Sequence, residues 1–193
     1  MEKITSILKR SSQLHEAILQ NEGLVRSIKA LSQKMIEACR RGKKIFFCGN
    51  GGSAADAQHL AAELTGRFYF DRPPLRAEAL HTNSSALTAI ANDYSYESVY
   101  ARLITAGGTP GDVLIAISTS GNSPNILAAL AEAQKMEMIT AGFTGIGGGK
   151  MKECCHHLIE IPSKDTPRIQ EAHILVGHIL CELVESALFS HET

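Results

Sequence analysis

Apolar residues recur every three or four positions from residue 4 to residue 39, and the pattern is interrupted at 21–23. This spacing predicts two amphipathic helices at the start of the chain. A similar pattern begins at Thr166, which has the residue type of an N-cap and is followed by Pro167 at the first helical position. The pattern from Thr166 onwards therefore predicts one long C-terminal helix.

Short apolar runs between these helices predict five buried strands. The first run is Ile45 to Cys48, whose β-branched and aromatic residues are typical of a strand that is buried on both faces. The other four runs are 77–80, 113–118, 138–143 and 158–161. Because helix-compatible sequence separates the runs, we predict a three-layer α/β fold with a doubly wound parallel sheet.

The composition fits one domain and argues against a nucleic-acid ligand and a membrane span. With 193 residues, 44% of them hydrophobic, the chain is long enough for one sizeable core. We assign 1–193 to a single domain, with helices in 1–40 and the sheet core and C-terminal helix in 41–193. Lys and Arg number 19 against 20 for Asp and Glu, so a nucleic-acid ligand is not expected, and no apolar stretch is long enough for a membrane span. Five cysteines without a Cys-x-x-Cys pair favour a reduced, cytoplasmic location.

A glycine turn followed by metal-type side chains is the first motif with functional content. Gly49 to Gly52 follows the first predicted strand and lets a ligand approach the backbone closely. Ser53 and Asp56 match a capping box, which predicts a helix from Ser53 with N–H groups free to bind an anion. His59 and Glu63 are four residues apart, so they share one face of that helix and can meet one ion or substrate. The same pair also fits an ordinary surface contact within a helix.

A second polar loop, Ser118 to Pro124, follows the third predicted strand. Its four hydroxyl groups and the N–H groups of the next helix can donate to phosphate oxygens without a fixed positive charge. An ordinary Ser/Thr-rich cap explains the same residues. Because ligands of open α/β sheets bind at the carboxyl ends of the strands, the two loops together favour the phosphate interpretation. The glycine-rich stretch 145–149 is a further candidate for a close-approach loop, although a flexible turn is the simpler interpretation.

Two polar residues, Gln170 and His178, interrupt the apolar face of the C-terminal helix. Eight residues of helix rise about 12 Å, so one copy of this helix would not bring both side chains to one ion, and a shared site would need two chains. The simpler interpretation is a core or interface histidine and a polar residue in the first helical turn. The pair Asn92-Asp93 ends another predicted helix and has a functional role only if the fold brings it beside the glycine turn.

These motifs resemble those of the sedoheptulose 7-phosphate isomerases, also called phosphoheptose isomerases, which have the sugar isomerase (SIS) fold. The resemblance rests on Cys-Gly-Asn-Gly-Gly-Ser at 48–53, Asp-Ala-Gln-His at 56–59 with Glu63, Asn92-Asp93, Ile-Ser-Thr-Ser-Gly-Asn-Ser at 117–123, and Arg-Ile-Gln-Glu at 168–171 with His178. It spans nearly the whole chain. It implies a five-stranded parallel sheet in flavodoxin-like order, and a homotetramer that uses the helices of 1–40 and builds its active sites between subunits.

The resemblance also implies a role for each motif. The ligands of one zinc ion per subunit would be His59, Glu63, Gln170 and His178. The residues in contact with a phosphosugar substrate would be Asn50, Gly51, Gly52, Ser53, Glu63, Asn92, Asp93, Ser118, Thr119, Ser120, Ser123 and Gln170. Glu63 is the candidate catalytic base and His178 the partner acid or base, because an imidazole titrates near neutral pH.

The implied reaction is an aldose–ketose isomerisation. It converts D-sedoheptulose 7-phosphate to D-glycero-D-manno-heptose 7-phosphate through an enediol. This is the first step of ADP- or GDP-heptose biosynthesis, towards lipopolysaccharide or surface-layer heptose. The sequence leaves open the anomer formed and whether zinc is essential.

Three other functions compete with this interpretation. A catalytically silent relative that binds a protein, such as the DnaA initiator-associating protein, has this fold but no need to keep the four zinc-type residues together, and metal content would distinguish it. An isomerase or sensor of another phosphosugar would differ in its substrate profile. A dinucleotide-binding oxidoreductase is disfavoured, because 49–53 lacks the third glycine spacing of the Rossmann fingerprint.

Overall fold

The computed structural model describes residues 1–189, so the last residues of the predicted domain, 190–193, lie outside the described part. The α-helices of the described part are α1 Glu2–Gln20, α2 Glu22–Arg40, α3 Gly52–Thr65, α4 Ser84–Asp93, α5 Val99–Gly107, α6 Pro124–Lys135 and α7 Thr166–Phe189. The strands are β1 Ile45–Gly49, β2 Ala77–Ala79, β3 Val113–Ile117, β4 Ile139–Thr144 and β5 His157–Glu160. Short 3₁₀ turns lie at Leu80–Thr82, Tyr96–Ser98 and Gly149–Glu153.

The five strands form one parallel sheet in the order β2-β1-β3-β4-β5. This confirms the predicted five-stranded, doubly wound sheet in flavodoxin-like order. The chain leaves β1 towards β2 and then returns to the other side of β1 to form β3, so the direction of winding changes between β1 and β3. A change of this kind opens a crevice at the carboxyl ends of the two strands, where ligands of such folds bind.

Side-chain alternation along the strands divides the core between the two faces of the sheet. Ile45 and Phe47 of β1 point to a core shared with α1, α2, α3 and α7. Phe46 and Cys48 point to a second core shared with α5 and α6. All five residues of β1 and of β3 are buried, as expected for strands with helices on both faces.

The N-terminal helices match the predicted break, since Asn21 ends α1 and caps α2 by accepting a hydrogen bond from the Leu24 N–H. The long C-terminal helix is also as predicted. Thr166, predicted as its N-cap, is already its first residue. By length and composition alone α7 could cross a membrane, but 44% of its most apolar window is buried in the fold. Its contacts with α2 and α3, and the complete burial of His173 and Glu185 within it, are those of a core helix.

Candidate active site

The glycine turn lies at the winding change. Gly49, the last residue of β1, pairs in register with Ile117, the last residue of β3, so the loops after the two strands start side by side. A Cβ atom on Gly49 would lie 2.4 Å from the Ser53 carbonyl oxygen, which shows how tightly the turn folds back on itself. The sequence motif therefore does form a close-approach turn at the carboxyl edge of the sheet.

The predicted capping box at the start of α3 is wrong. The helix begins at Gly52, and its N-cap is Gly51, whose φ of 57° is in the left-handed region that favours glycine. The N–H groups of Ser53 and Ala54 donate to the carbonyl oxygens of Asn50 and Gly51 instead of to a side chain. Ser53 is consequently a buried residue inside the first turn.

Asp56, the other half of the predicted box, is released from a capping role. Its Oδ2 is buried without a hydrogen-bond partner among the described residues. Burial raises the pKa of this carboxyl to about 6, and the nearby His59 opposes the shift. The carboxyl group therefore titrates nearer neutral pH than an ordinary aspartate.

The serine loop follows β3 and has the geometry of an anion cradle. Ser118 Oγ lies 2.9 Å from Ser123 Oγ and 3.4 Å from Ser120 Oγ, so three hydroxyl groups cluster on the loop. Ser123 is the N-cap of α6, and Pro124 occupies its first turn. Hydroxyl donors ahead of a helix N-terminus form a site that suits a phosphate group.

The glycine-rich stretch 145–149 packs closely against the serine loop, as its close-approach interpretation predicts. A Cβ atom on Gly121 would lie 2.1 Å from the Gly148 carbonyl oxygen, so no larger side chain fits at this contact. The Gly145 N–H donates to the Thr119 carbonyl oxygen over 2.9 Å, and the Met151 N–H donates to that of Gly121 over 3.0 Å. These backbone bonds fix the serine loop from behind.

An amide pair joins the two loops, and sequence reasoning missed half of it. Asn50 of the glycine turn and Asn125 of α6 exchange two side-chain hydrogen bonds, each 2.9 Å long, across 75 residues of sequence. Tyr96 donates its hydroxyl proton to Asn50 Oδ1 over 3.0 Å. Asn125 directly follows the predicted Ser-Pro helix start, but no local signal identifies its partner.

Tyr96 also shows where Asn92-Asp93 lies relative to the glycine turn. These two residues end α4 at an exposed position, where Asn92 Nδ2 donates to Asp93 Oδ1 over 2.9 Å. Tyr96 follows them in the chain and reaches Asn50, so the fold does bring this segment beside the glycine turn.

Three metal-type side chains converge within one chain. One ligand atom from each of His59, Glu63 and His178 can be chosen so that all three lie within 4.8 Å of one another. His59 Nε2 is 2.8 Å from His178 Nε2 and 3.1 Å from Glu63 Oε1. Two imidazole nitrogens with one carboxylate are a donor set that suits zinc, which binds histidine and carboxylate ligands in catalytic sites.

Gln170 lies at the glycine turn. A Cβ atom on Gly52 would be 2.6 Å from Gln170 Nε2, so the missing side chain of Gly52 makes room for this amide. His178, eight residues further along α7, is at the His59 cluster. Within one chain, Gln170 and His178 therefore contact different parts of α3, the first turn and the His59 position.

A buried ion pair behind the metal-type cluster was not foreseen. Arg72 Nε donates to Glu185 Oε1 over 2.9 Å, and both side chains are only 1% exposed. Glu185 also accepts the N–H groups of Phe68, Tyr69 and Phe70, which fixes the loop after α3. The Phe68 ring then packs on the His178 ring, with 5.7 Å between the centroids.

Comparison with known proteins identifies the family of this chain. The model of the SIS domain family matches residues 7–145. The chain is 52% identical to the phosphoheptose isomerase of Aneurinibacillus thermoaerophilus, covering 98% of this chain and 96% of that protein. It is also 52% identical to phosphoheptose isomerase 2 of Campylobacter jejuni, with the same shares covered. The chain therefore belongs to the SIS domain family and, within it, to the phosphoheptose isomerase family.

A solved structure matches the fold over the same span. The phosphoheptose isomerase of Neisseria gonorrhoeae superimposes with a TM-score of 0.90 at 39% identity, covering 96% of this chain and 98% of that chain. The protein from Francisella tularensis gives a TM-score of 0.92 at 34% identity, covering 96% of this chain and 97% of that chain. The whole described architecture is thus that of the family.

Proposed function

We propose that this chain is an aldose–ketose isomerase that interconverts D-sedoheptulose 7-phosphate and D-glycero-D-manno-heptose 7-phosphate. The observation that carries the proposal is the meeting, at one edge of the sheet, of the serine loop after β3 and the glycine turn after β1, in a chain that also brings His59, Glu63 and His178 together. The names of the relatives, which match almost the whole chain, support the same reaction. They favour an enzyme over a protein-binding regulator of the same fold.

The phosphate group of the substrate is assigned to the serine loop. Ser118, Thr119, Ser120 and Ser123 would donate hydrogen bonds to its oxygens beside the N-terminus of α6, whose dipole favours a negative charge. The hydroxyl cluster and the helix N-terminus support this assignment. The sugar chain would then extend past Asn50, Gly51, Gly52 and Ser53 towards Glu63, near Asn92 and Asp93 at the mouth of the site.

The proton transfers are assigned to Glu63 and His178. The Glu63 carboxylate removes a proton from the hydroxymethyl carbon beside the carbonyl, and the electron pair forms the C=C bond of the enediol while the carbonyl oxygen takes a proton from His178. His178 then recovers a proton from the other enediol hydroxyl, and Glu63 returns its proton to the former carbonyl carbon. Both residues end in their starting states, so the reaction consumes no oxidant or reductant.

The cofactor we propose is one zinc ion per subunit, with His59, Glu63, Gln170 and His178 as ligands. The convergence of His59, Glu63 and His178 supports three of these ligands. When bound, zinc would polarise the carbonyl group and stabilise negative charge on its oxygen. A carboxylate bound to a metal is a weaker base, so the two roles of Glu63 exclude each other at any one moment.

We further propose a cytoplasmic homotetramer with active sites between subunits. An apolar groove between α1, α2 and α7 supports assembly, since it is lined by exposed Leu19, Val25 and Leu183. The distance along α7 between Gln170 and His178 also favours a site to which two chains contribute ligands.

The test is conversion of sedoheptulose 7-phosphate by the purified protein before chelation, after chelation and after zinc is added back. We expect aldoheptose formation that depends on zinc, and a loss of at least about 100-fold in kcat for Glu63→Gln and His178→Gln. Glu153→Gln, at an exposed position of a 3₁₀ turn, is the matched control. No product from the zinc-loaded wild type would refute the isomerase, and full activity of both variants would refute the assigned roles.

A further inference from the structure

The hydrogen bonds of Asn50 within residues 1–189 leave its side chain a single free group. Its Oδ1 accepts one hydrogen bond from Tyr96 at 3.0 Å and one from Asn125 at 2.9 Å. Its Nδ2 donates one hydrogen bond to Asn125 Oδ1, also at 2.9 Å. A carboxamide has two acceptor lone pairs and two N–H donors. Both lone pairs and one N–H are therefore used, and one N–H remains.

The surroundings hold the amide in this orientation. Asn125 is 3% exposed, so its side chain has no water to replace the bonds to Asn50. Turning the Asn50 amide alone by half a turn would bring its Nδ2 against Asn125 Nδ2, which is a contact between two donors. It would also leave the buried Asn125 Oδ1 facing another oxygen. The pair therefore opposes rotation of Asn50 alone, and with Tyr96 donating to Oδ1 the N–H end of Asn50 is the one left free.

The free N–H is at the substrate edge of the sheet. Asn50 directly follows β1, whose last residue pairs with the last residue of β3. The serine loop starts at Ser118, directly after β3. Tyr96 is half exposed, so the Asn50–Tyr96 bond lies at the mouth of the crevice. A donor that is oriented before the substrate arrives stabilises negative charge without the cost of reorganisation.

We propose that Asn50 acts on the substrate only as a hydrogen-bond donor, through this one N–H, and that Tyr96 and Asn125 are positioning residues that fix its polarity. The inference rests on the proposed isomerase function. The oxygens that gain most from such a donor are a phosphate oxygen and the carbonyl oxygen that becomes negative as the enediol forms. A sugar hydroxyl that needs an acceptor is excluded from this position.

Steady-state kinetics with sedoheptulose 7-phosphate tests the donor. Asn50→Asp keeps the acceptor and removes the N–H, and Asn50→Ala removes the N–H without adding charge. We expect both to lose about 100-fold or more in kcat/KM, the range for loss of one donor to a developing oxyanion. The loss falls mainly in kcat if the carbonyl oxygen is the acceptor, and mainly in KM if a phosphate oxygen is. Asn83→Asp, which keeps a good cap on α4 and adds the same charge, is the control and should match wild type.

A double-mutant cycle tests the positioning role. We expect Tyr96→Phe to lower kcat/KM by about 3- to 10-fold, the range for one hydrogen bond, and to cause no further loss in the Asn50→Ala background. Asn125→Ala is run in the same way, with thermal unfolding recorded to separate folding from function. Tyr94→Phe removes an exposed hydroxyl two residues before Tyr96 and is the matched control.

Two results would overturn this inference and leave the proposed isomerase function intact. The first is wild-type kcat/KM in Asn50→Asp, which would mean that the free group of Asn50 is a lone pair. The second is an equal loss from Tyr96→Phe with and without Asn50, which would mean that Tyr96 acts independently. A wild type without isomerase activity would overturn the proposed function, and this inference with it.

Discussion

His173 is a buried imidazole on α7 that the proposed chemistry does not use. Its Nε2 lies 3.1 Å from the Thr144 carbonyl oxygen, so this nitrogen carries the proton. Its Nδ1 has no hydrogen-bond partner among the described residues. Burial lowers the pKa of His173 to about 4, against the opposing effect of the Thr144 bond. The side chain therefore stays neutral in the folded protein and links α7 to the end of β4.

Acidification should destabilise the fold through this residue. The folded pKa of about 4 lies below the ordinary value of 6.5, so the unfolded chain binds more protons between these values and stability falls as the pH drops through this range. The contribution is up to about 3 kcal/mol. In urea unfolding at constant metal concentration, His173→Gln, which can donate to Thr144 but does not titrate, should lose less stability than wild type between neutral and acidic pH.

Other titrating groups affect both proteins equally. The lowered pKa values of His81 and His157, each due first to burial, add to the acid loss. The raised pKa of Asp56 acts in the opposite direction, because the folded state binds its proton first. The quantity to read is thus the difference between wild type and His173→Gln, and parallel pH profiles would contradict the prediction.

At the scale of elements, one buried ion pair connects α3, α7 and the loop between α3 and β2. Arg72 donates to the carbonyl oxygens of Glu63 and Leu64 at the end of α3, over 3.0 and 2.7 Å. Its partner Glu185 binds three N–H groups of the loop. Because Phe68 of this loop packs on His178, the pair supports both ends of the metal-type cluster.

Glu185→Gln should therefore destabilise the protein strongly. The substitution keeps the shape but leaves the buried Arg72 guanidinium without a counter-charge, which typically costs about 3–5 kcal/mol of unfolding free energy. Glu37→Gln, whose partner Lys34 is in an exposed pair on α2, should leave the unfolding free energy close to that of wild type. Urea denaturation measures both, and similar losses in the two variants would contradict the structural role of the buried pair.

At the scale of the molecule, one face of the helical layer is more apolar than a water-exposed surface usually is. Leu19 is 72% exposed, Val25 47% and Leu183 40%, and they come from α1, α2 and α7. All three line one groove. The same helices bury their opposite faces in the core on the sheet, so this groove is the part of the layer available to the proposed contact between chains.

A charge in this groove should weaken assembly. Leu183→Glu would bury a carboxylate in an apolar contact, and we expect the proposed tetramer to dissociate at concentrations where wild type stays assembled. Activity should fall with it, because two chains are proposed to complete each site. Ala131→Glu adds the same charge at an exposed position of α6, on the other side of the sheet. Sedimentation or light scattering gives the mass, and an unchanged mass for Leu183→Glu would reject this interface.

Helices, strands and loop chemistry could be predicted from the sequence because they depend on neighbours in the chain. Apolar periodicity gave the strands to within a residue or two at each end, since a buried strand and an amphipathic helix have different periods. The local prediction failed where backbone geometry overruled a side-chain signal. Gly51, at a φ of 57°, starts α3 before Ser53 and leaves Asp56 without a capping role.

Only the tertiary structure decided which distant groups meet. Asn50 and Asn125 are 75 residues apart, Arg72 and Glu185 are 113 apart, and His59 and His178 are 119 apart. Their contacts follow from sheet order, strand register and the seating of α7, which are set by burial of the whole core and leave no local pattern. The sequence by itself determined the fold class, the two polar loops and the candidate chemistry. The fold decided their geometry, because a hydrogen bond or a metal site needs atoms within a few ångströms, and only packing brings remote residues that close.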